Sequence, residues 1–202
     1  MLSKRTLLLL SLPLSAAAVV VVLQTAQSTP QPTPQQPAPQ QEAPKLDVPF
    51  VPSPNGVVDK MLDLAKVGPT DVVYDLGSGD GRIAIRAAQR GARAVGIDID
   101  PDRIRDARAN ALRANVEDRT EFRQGDLFKV DLSPATVITM YLLPSVNLKL
   151  KSKLMQLEPG TRIVSHSFDL GDWKPDQTAE VEGRKIYLWI VPKGPKGGRG
   201  SR

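Results

Sequence analysis

Beyond residue 55, apolar positions follow two rhythms in alternation. One recurs every three or four residues, as on one face of a helix. The other is a short unbroken run, as in a strand buried on both faces. Gly56 to Lys66 carries Val57, Val58, Met61, Leu62, Leu64 and Ala65 in a helical stripe, and Gly68-Pro69 ends it. Asp71 to Leu76 is a strand-like run, Arg82 to Arg90 a helix closed by Gly91, and Ala92 to Ile97 a second strand. Asp100-Pro101 opens a helix with an N-cap acid and a first-turn proline, and Ile104, Ala107, Ala111 and Leu112 are expected on its inner face. Thr120–Arg123 and Ala135–Tyr141 are further strands, Pro144–Leu157 a helix and Thr161–Ser165 a fifth strand. Thr178–Glu182 and Lys185–Val191 read as a hairpin turning at Gly183-Arg184. Strand and helix in alternation predict an α/β fold: a Rossmann-like, doubly wound, mostly parallel sheet with helices on both faces and a C-terminal antiparallel hairpin.

The N-terminal quarter has neither rhythm. Lys4 and Arg5 precede an almost wholly apolar stretch from Leu7 to Leu23, and Ala26-Gln27-Ser28 offers small residues in a cleavage-like spacing. Residues 1–28 are therefore expected to be a signal peptide or a membrane anchor, with cleavage and retention both open. Residues 29–49 are rich in Pro and Gln and read as an extended, disordered linker. The folded domain is expected at 50–192 and a basic, disordered tail at 193–202. On the charge rule alone, Lys4 and Arg5 place the N-terminus inside and the rest across the membrane; which side the domain faces stays open.

Charge changes this picture little. The formal net charge is +5, but Lys4, Arg5, Glu42, Lys193, Lys196, Arg199 and Arg202 account for all of it. Residues 45–192 are neutral overall, so no nucleic-acid partner is expected. The chain has no cysteine, which excludes a disulfide framework and a thiolate metal site or nucleophile. No metal site is expected.

The candidate chemistry begins at Asp75-Leu76-Gly77-Ser78-Gly79-Asp80-Gly81-Arg82, between the first strand and the second helix. Loops without Cβ atoms at this point approach nucleotide-type ligands closely. The dinucleotide fingerprint requires a third glycine where Arg82 stands. Asp75 and Asp80 would repel a pyrophosphate and suit a ligand carrying a sulfonium and an ammonium. Asp98, at the end of the second strand, has the spacing of a ribose-binding acid, with Ile99 beside it. Asp126 and Leu127, after the third strand, are placed for adenine. Together these residues outline S-adenosylmethionine.

At this point the sequence resembles the class I methyltransferases over nearly all of residues 48–191. Asp75–Gly81 resembles the family's first motif, Ala94–Asp98 its second and Gly125-Asp126 its adenine-side motif. The resemblance implies that Asp75, Gly77, Ser78, Gly79, Asp80 and Gly81 hold the methionine end, Asp98 and Ile99 the ribose, and Asp126 and Leu127 the adenine. A narrower likeness rests on Phe50-Val51-Pro52-Ser53-Pro54 ahead of a helix, followed by D-L-G-S-G-D-G-R-I. It is similar to the lysine methyltransferases that modify the ATP synthase c subunit and the adenine nucleotide carrier. This implies N-methylation of a lysine in a protein substrate, at a membrane. A small-molecule acceptor and a non-catalytic cofactor-binding protein remain alternatives. Tyr141, after the fourth strand, is the candidate for the acceptor pocket. His166, the only histidine, is expected to be a surface or hydrogen-bonded residue. Trp173 is expected either beside the acceptor or in loop packing.

Overall fold

A computed structural model describes residues 51–193. The expected leader at 1–28, the linker at 29–49, residue 50 and the tail beyond Lys193 lie outside the described residues. In chain order the elements are α1 (Asn55–Leu64), β1 (Val72–Leu76), α2 (Arg82–Gln89), β2 (Arg93–Asp98), α3 (Pro101–Arg113), β3 (Thr120–Gln124), β4 (Val137–Met140), α4 (Pro144–Leu154), β5 (Arg162–His166), β6 (Gln177–Val181) and β7 (Arg184–Ile190). The strands form one sheet in the order β3-β2-β1-β4-β5-β7-β6. All neighbours are parallel except β7, which runs antiparallel to β5 and β6. The order reverses between β1 and β4, and the crevice above that point is where such sheets bind ligands.

The sheet is doubly wound because its central strands β1, β2, β4 and β5 are buried on both faces. In β1, Val73 faces the layer of α1, α2 and α3, whereas Tyr74 and Leu76 face the side of α4. β4 is buried along its whole length. On the first face, Val57, Val58, Met61 and Leu62 of α1 join Ile83, Ala84 and Ala87 of α2 and Ile104, Ala107 and Ala111 of α3. On the second, Leu150 and Leu154 of α4 pack with Ile138, Met140, Ile163 and the fully buried Trp189.

Several boundaries differ from the sequence expectation. Leu112 is 61% exposed; it lies one residue, and so about 100°, beyond Ala111 on the buried face. β4 begins only at Val137, because Thr136 is a cross-link: its N–H donates to Val72 O at 2.9 Å and its hydroxyl to Asp71 Oδ1 at 2.8 Å. α4 ends at Leu154 and closes in turns, Gln156 N–H reaching Lys153 O at 3.3 Å and Leu157 N–H reaching Leu154 O at 3.2 Å. The hairpin turns one residue earlier than expected, at Glu182 and Gly183, with φ of 52° and 70°. Two left-handed residues match the twist of a two-residue hairpin. No helix among the described residues is long and apolar enough to cross a membrane.

Candidate active site

The parallel register lines up the carboxyl ends of β2, β1, β4 and β5. Leu76 pairs with Ile97 on one side and Met140 on the other, and Met140 pairs with Ser165. The next residues along this edge are Asp98, Gly77, Tyr141 and His166, drawn from four separate strands. Strand alternation puts Asp75, Thr139, Tyr141 and His166 on the face covered by α1 and α2.

The glycine loop is held from below. Gly77 and Ser78 both donate their N–H to Ile97 O, at 2.8 and 2.9 Å. Gly77 has φ of +72°, and a Cβ there would stand 2.6 Å from Leu142 Cδ2. Only glycine satisfies both constraints. Gly96 is a second forced position, since a Cβ would meet Phe122 at 2.6 Å and Ser78 Oγ at 2.8 Å.

Asp98 is half-buried and engaged through both oxygens. Oδ2 accepts from Gly79 N–H at 2.8 Å and Oδ1 from Asp100 N–H at 3.0 Å. Each oxygen keeps a second lone pair for a ligand hydroxyl. Beside it, Ile99 is 44% exposed, and its carbonyl accepts from Gln124 Nε2 at 3.4 Å. Gly125 N–H donates to Asp98 O at 2.8 Å, which draws Gly125, Asp126 and Leu127 to the same corner. Asp126 Oδ1 accepts from Phe128 N–H at 2.9 Å, and the carboxylate lies 3.6 Å from Lys129. Leu127 packs on the core and Phe128 is exposed.

Asp75 is buried to 1% exposure. Its Oδ1 accepts from the Thr139 hydroxyl at 2.7 Å, whereas Oδ2 has no partner among the described residues. Its carboxyl is pushed up to about 7, by burial above all and by the nearby charges of Asp98 and Asp80, against the Thr139 hydrogen bond, which lowers it. Ser78 Oγ is likewise buried and unpartnered. A close-approach loop, two orphaned buried acceptors and a cluster of carboxylates fit a cationic amino-acid ligand and oppose a pyrophosphate.

Asp80 departs from the sequence expectation. Its carboxylate does not stand free beside the loop. Arg82 grips it in a fork, Nε to Oδ1 at 2.9 Å and Nη2 to Oδ2 at 2.6 Å. The same guanidinium donates through Nη1 to Ser53 O at 2.9 Å. An arginine two residues along neutralises the charge that the sequence reading assigned to the ligand. Asp98 supplies negative charge without it, and Asp75 offers a buried carboxyl that an adjacent cation would favour in its ionised form.

Tyr141 is half-buried. It stacks on His166, with centroids 3.9 Å apart and planes at 29°, and lies nearly parallel to Phe168, 6.2 Å away. His166 is fully buried and not a surface residue. Ser53 Oγ and His166 Nδ1 share a hydrogen bond of 2.8 Å, and Nε2 has no partner among the described residues. Burial, helped by the charge of Arg184, pushes the imidazole down to about 4, so it is neutral at pH 7. From the α4 side, Asn147 Nδ2 donates to Phe168 O at 3.1 Å and Asp169 O at 3.3 Å, fixing the loop after β5. Trp173 belongs to that loop's packing: its carbonyl accepts from Trp189 Nε1 at 2.8 Å.

Sequence reasoning missed Ser53, Thr139 and Asn147. Ser53 stood inside the Pro-Ser-Pro stretch ahead of α1, but its partner lies 113 residues away. Thr139 had a local signal, a lone hydroxyl in an otherwise apolar strand.

Comparison with known proteins agrees with this geometry. The family model described as the ANTKMT methyltransferase domain matches residues 75–177. A protein-lysine N-methyltransferase of Saccharolobus islandicus is 47% identical over 150 residues, covering 71% of this chain and 93% of the relative. The mouse lysine N-methyltransferase named for the ATP synthase c subunit is 34% identical over 158 residues, covering 76% of this chain and 62% of the mouse protein. The crystal structure of a protein described as an RNA methyltransferase from Salinibacter ruber, in complex with S-adenosyl-L-homocysteine, superposes with a TM-score of 0.70 and 60% identity over 72% of this chain and 97% of that one. The chain therefore belongs to the ANTKMT methyltransferase-domain family, and it is an S-adenosylmethionine-dependent methyltransferase.

Proposed function

We propose that this enzyme N-methylates a lysine of a protein substrate, at a membrane surface. The observation that carries the lysine reading is the wall beyond Gly77. Tyr141 stacks on a neutral His166 and lies parallel to Phe168. An aromatic wall whose own imidazole is neutral suits an alkylamine and its positively charged products. The name and 47% identity of the Saccharolobus relative support it. Membrane placement is supported by the apolar run Leu7–Leu23 and by the name of the mouse relative.

The cofactor supplies a methyl group already activated on sulfur. Gly77, Ser78 and Gly79 would hold its amino-acid end, with Asp75 accepting from its ammonium and Gly81 setting the start of α2. Asp98 would take the ribose hydroxyls. Ile99, Leu127 and Asp126 would flank the adenine and accept its amino proton. Asp80 would act through Arg82. Transfer is an in-line displacement: the lysine nitrogen's lone pair forms the new C–N bond, the C–S electrons stay on sulfur, and the proton leaves to solvent. The chain's own part is alignment and exclusion of water, and Tyr141 is the group placed to orient the amine.

A second reading, RNA methylation, is favoured by the name of the Salinibacter protein. The neutral body between residues 45 and 192 gives a polyanion little to hold. Incubation with methyl-labelled cofactor and separated membrane-protein, soluble-protein and RNA fractions decides between them. Label recovered as methyl-lysine from membrane protein is the expected result. Label in nucleosides, or only in a small metabolite, overturns the lysine reading, and label confined to soluble protein overturns the membrane placement.

A further inference from the structure

One chain of contacts runs from the glycine loop of the cofactor site to the acceptor wall through the protein itself. It starts at Asp80, between Gly79 and Gly81. Arg82 holds that carboxylate at 2.9 and 2.6 Å and reaches the carbonyl of Ser53 at 2.9 Å. The Ser53 hydroxyl shares a 2.8 Å hydrogen bond with His166 Nδ1, and the imidazole supports Tyr141 at 3.9 Å. Ser53 is 2% exposed and His166 fully buried. Hydrogen bonds in such a dry setting are stronger and more directional than at the surface. Pro52 and Pro54 restrict the backbone on both sides of Ser53, and Pro54 leads directly into α1.

Stability alone accounts poorly for this arrangement. It leaves His166 Nε2 buried without a partner among the described residues, a cost that an apolar side chain would avoid. What the pair provides is a rigid link between two sites.

We propose that Ser53 is a positioning residue that couples the glycine loop to Tyr141 through Arg82 and His166. Cofactor settling in the loop shifts Asp80 and Arg82, the shift moves Ser53, and His166 turns the Tyr141 ring to its working orientation. This rests on the reading that methyl transfer takes place beside Gly77, with Tyr141 on the acceptor side.

The chain has a single histidine, so the full-length protein labelled with 15N-histidine gives one set of imidazole resonances. S-adenosylhomocysteine, titrated to saturation, is expected to shift both ring nitrogens in the wild type. Ser53→Ala is expected to bind S-adenosylhomocysteine within about threefold of the wild type while the imidazole response disappears. Ser53→Thr, which keeps the hydroxyl, restores it. Arg82→Lys keeps the charge, loses the fork and uncouples in the same way, which covers the case of Ser53→Ala failing to fold. An unshifted imidazole at saturation, or an equal shift in Ser53→Ala, overturns the proposal. Absence of S-adenosylhomocysteine binding removes the cofactor assignment of the loop and the coupling with it. An intact imidazole response with no methyl-lysine formed refutes the acceptor assignment alone.

Discussion

Two buried titratable residues in the site work against each other as pH changes. Asp75 is raised from its ordinary 3.8 to about 7, so between those values the native state holds a proton that the unfolded chain has lost. Its contribution therefore falls as pH rises through that window. His166 is lowered from 6.5 to about 4, so there the unfolded chain holds the extra proton, and its contribution rises with pH. Each slope is at most about 1.4 kcal/mol per pH unit. The opposed signs predict a nearly flat stability for the wild type between about pH 4.5 and 6.5. Asp75→Asn should expose the histidine and give a stability that climbs across this range. His166→Gln should expose the carboxyl and give one that declines. Urea denaturation at fixed pH steps checks this; parallel curves for the two variants would refute it.

At the scale of elements, the edge of the sheet away from the site carries its own lock. Arg162 of β5 donates to the carbonyl of Ala65 just after α1, and pairs with Asp71 just before β1. Asp71 is 7% exposed and also accepts from Gly68 N–H at 2.9 Å. Burial raises its carboxyl, and the hydrogen bonds of Gly68, Thr136 and Arg162 outweigh this and hold it low. Arg162→Ala is expected to cost about 2–3 kcal/mol, because it strands a buried charge. S-adenosylhomocysteine affinity should stay unchanged, since the lock sits at the opposite edge; calorimetric titration reads this directly. By contrast Arg86 with Asp59 and Arg90 with Asp63 lie in the open between α2 and α1. Asp63→Asn should change stability by less than about 1 kcal/mol. All eleven elements of the described residues were legible in the sequence: central strands buried on both faces and one-sided helices leave different rhythms, and the exposed edge strands β3 and β6 are set off by the turns beside them. The Asp98 spacing was legible for the same reason, since one strand, one loop and one helix fix it. The Ser53–His166–Tyr141 cluster was not, because three chain-distant segments meet only when the sheet closes. The Arg82 grip on Asp80 was not legible either, because an isolated acid and an acid gripped by a neighbouring arginine look alike in one dimension.

For the molecule as a whole, the order β3-β2-β1-β4-β5-β7-β6 places the ligand crevice at the middle of the sheet, so binding tightens both halves at once. A ligand present at about 100 times its dissociation constant adds about 2.7 kcal/mol to global stability. S-adenosylhomocysteine at that level is expected to raise the unfolding midpoint of a single cooperative transition, while NAD at equal concentration leaves it unmoved; two separated transitions would contradict this. The brace between Asp98 and the Gly79 N–H has a kinetic side. The backbone at Gly79 is already braced before any ligand arrives, so capture is a docking event that needs no folding step, and the side-chain shift at Asp80 and Arg82 follows it. Stopped-flow binding of S-adenosylhomocysteine should then be a single exponential whose rate grows linearly with concentration. Asp98→Ala should add a slow, saturating phase, the time the freed loop spends searching for the backbone conformation that the Asp98 brace otherwise holds.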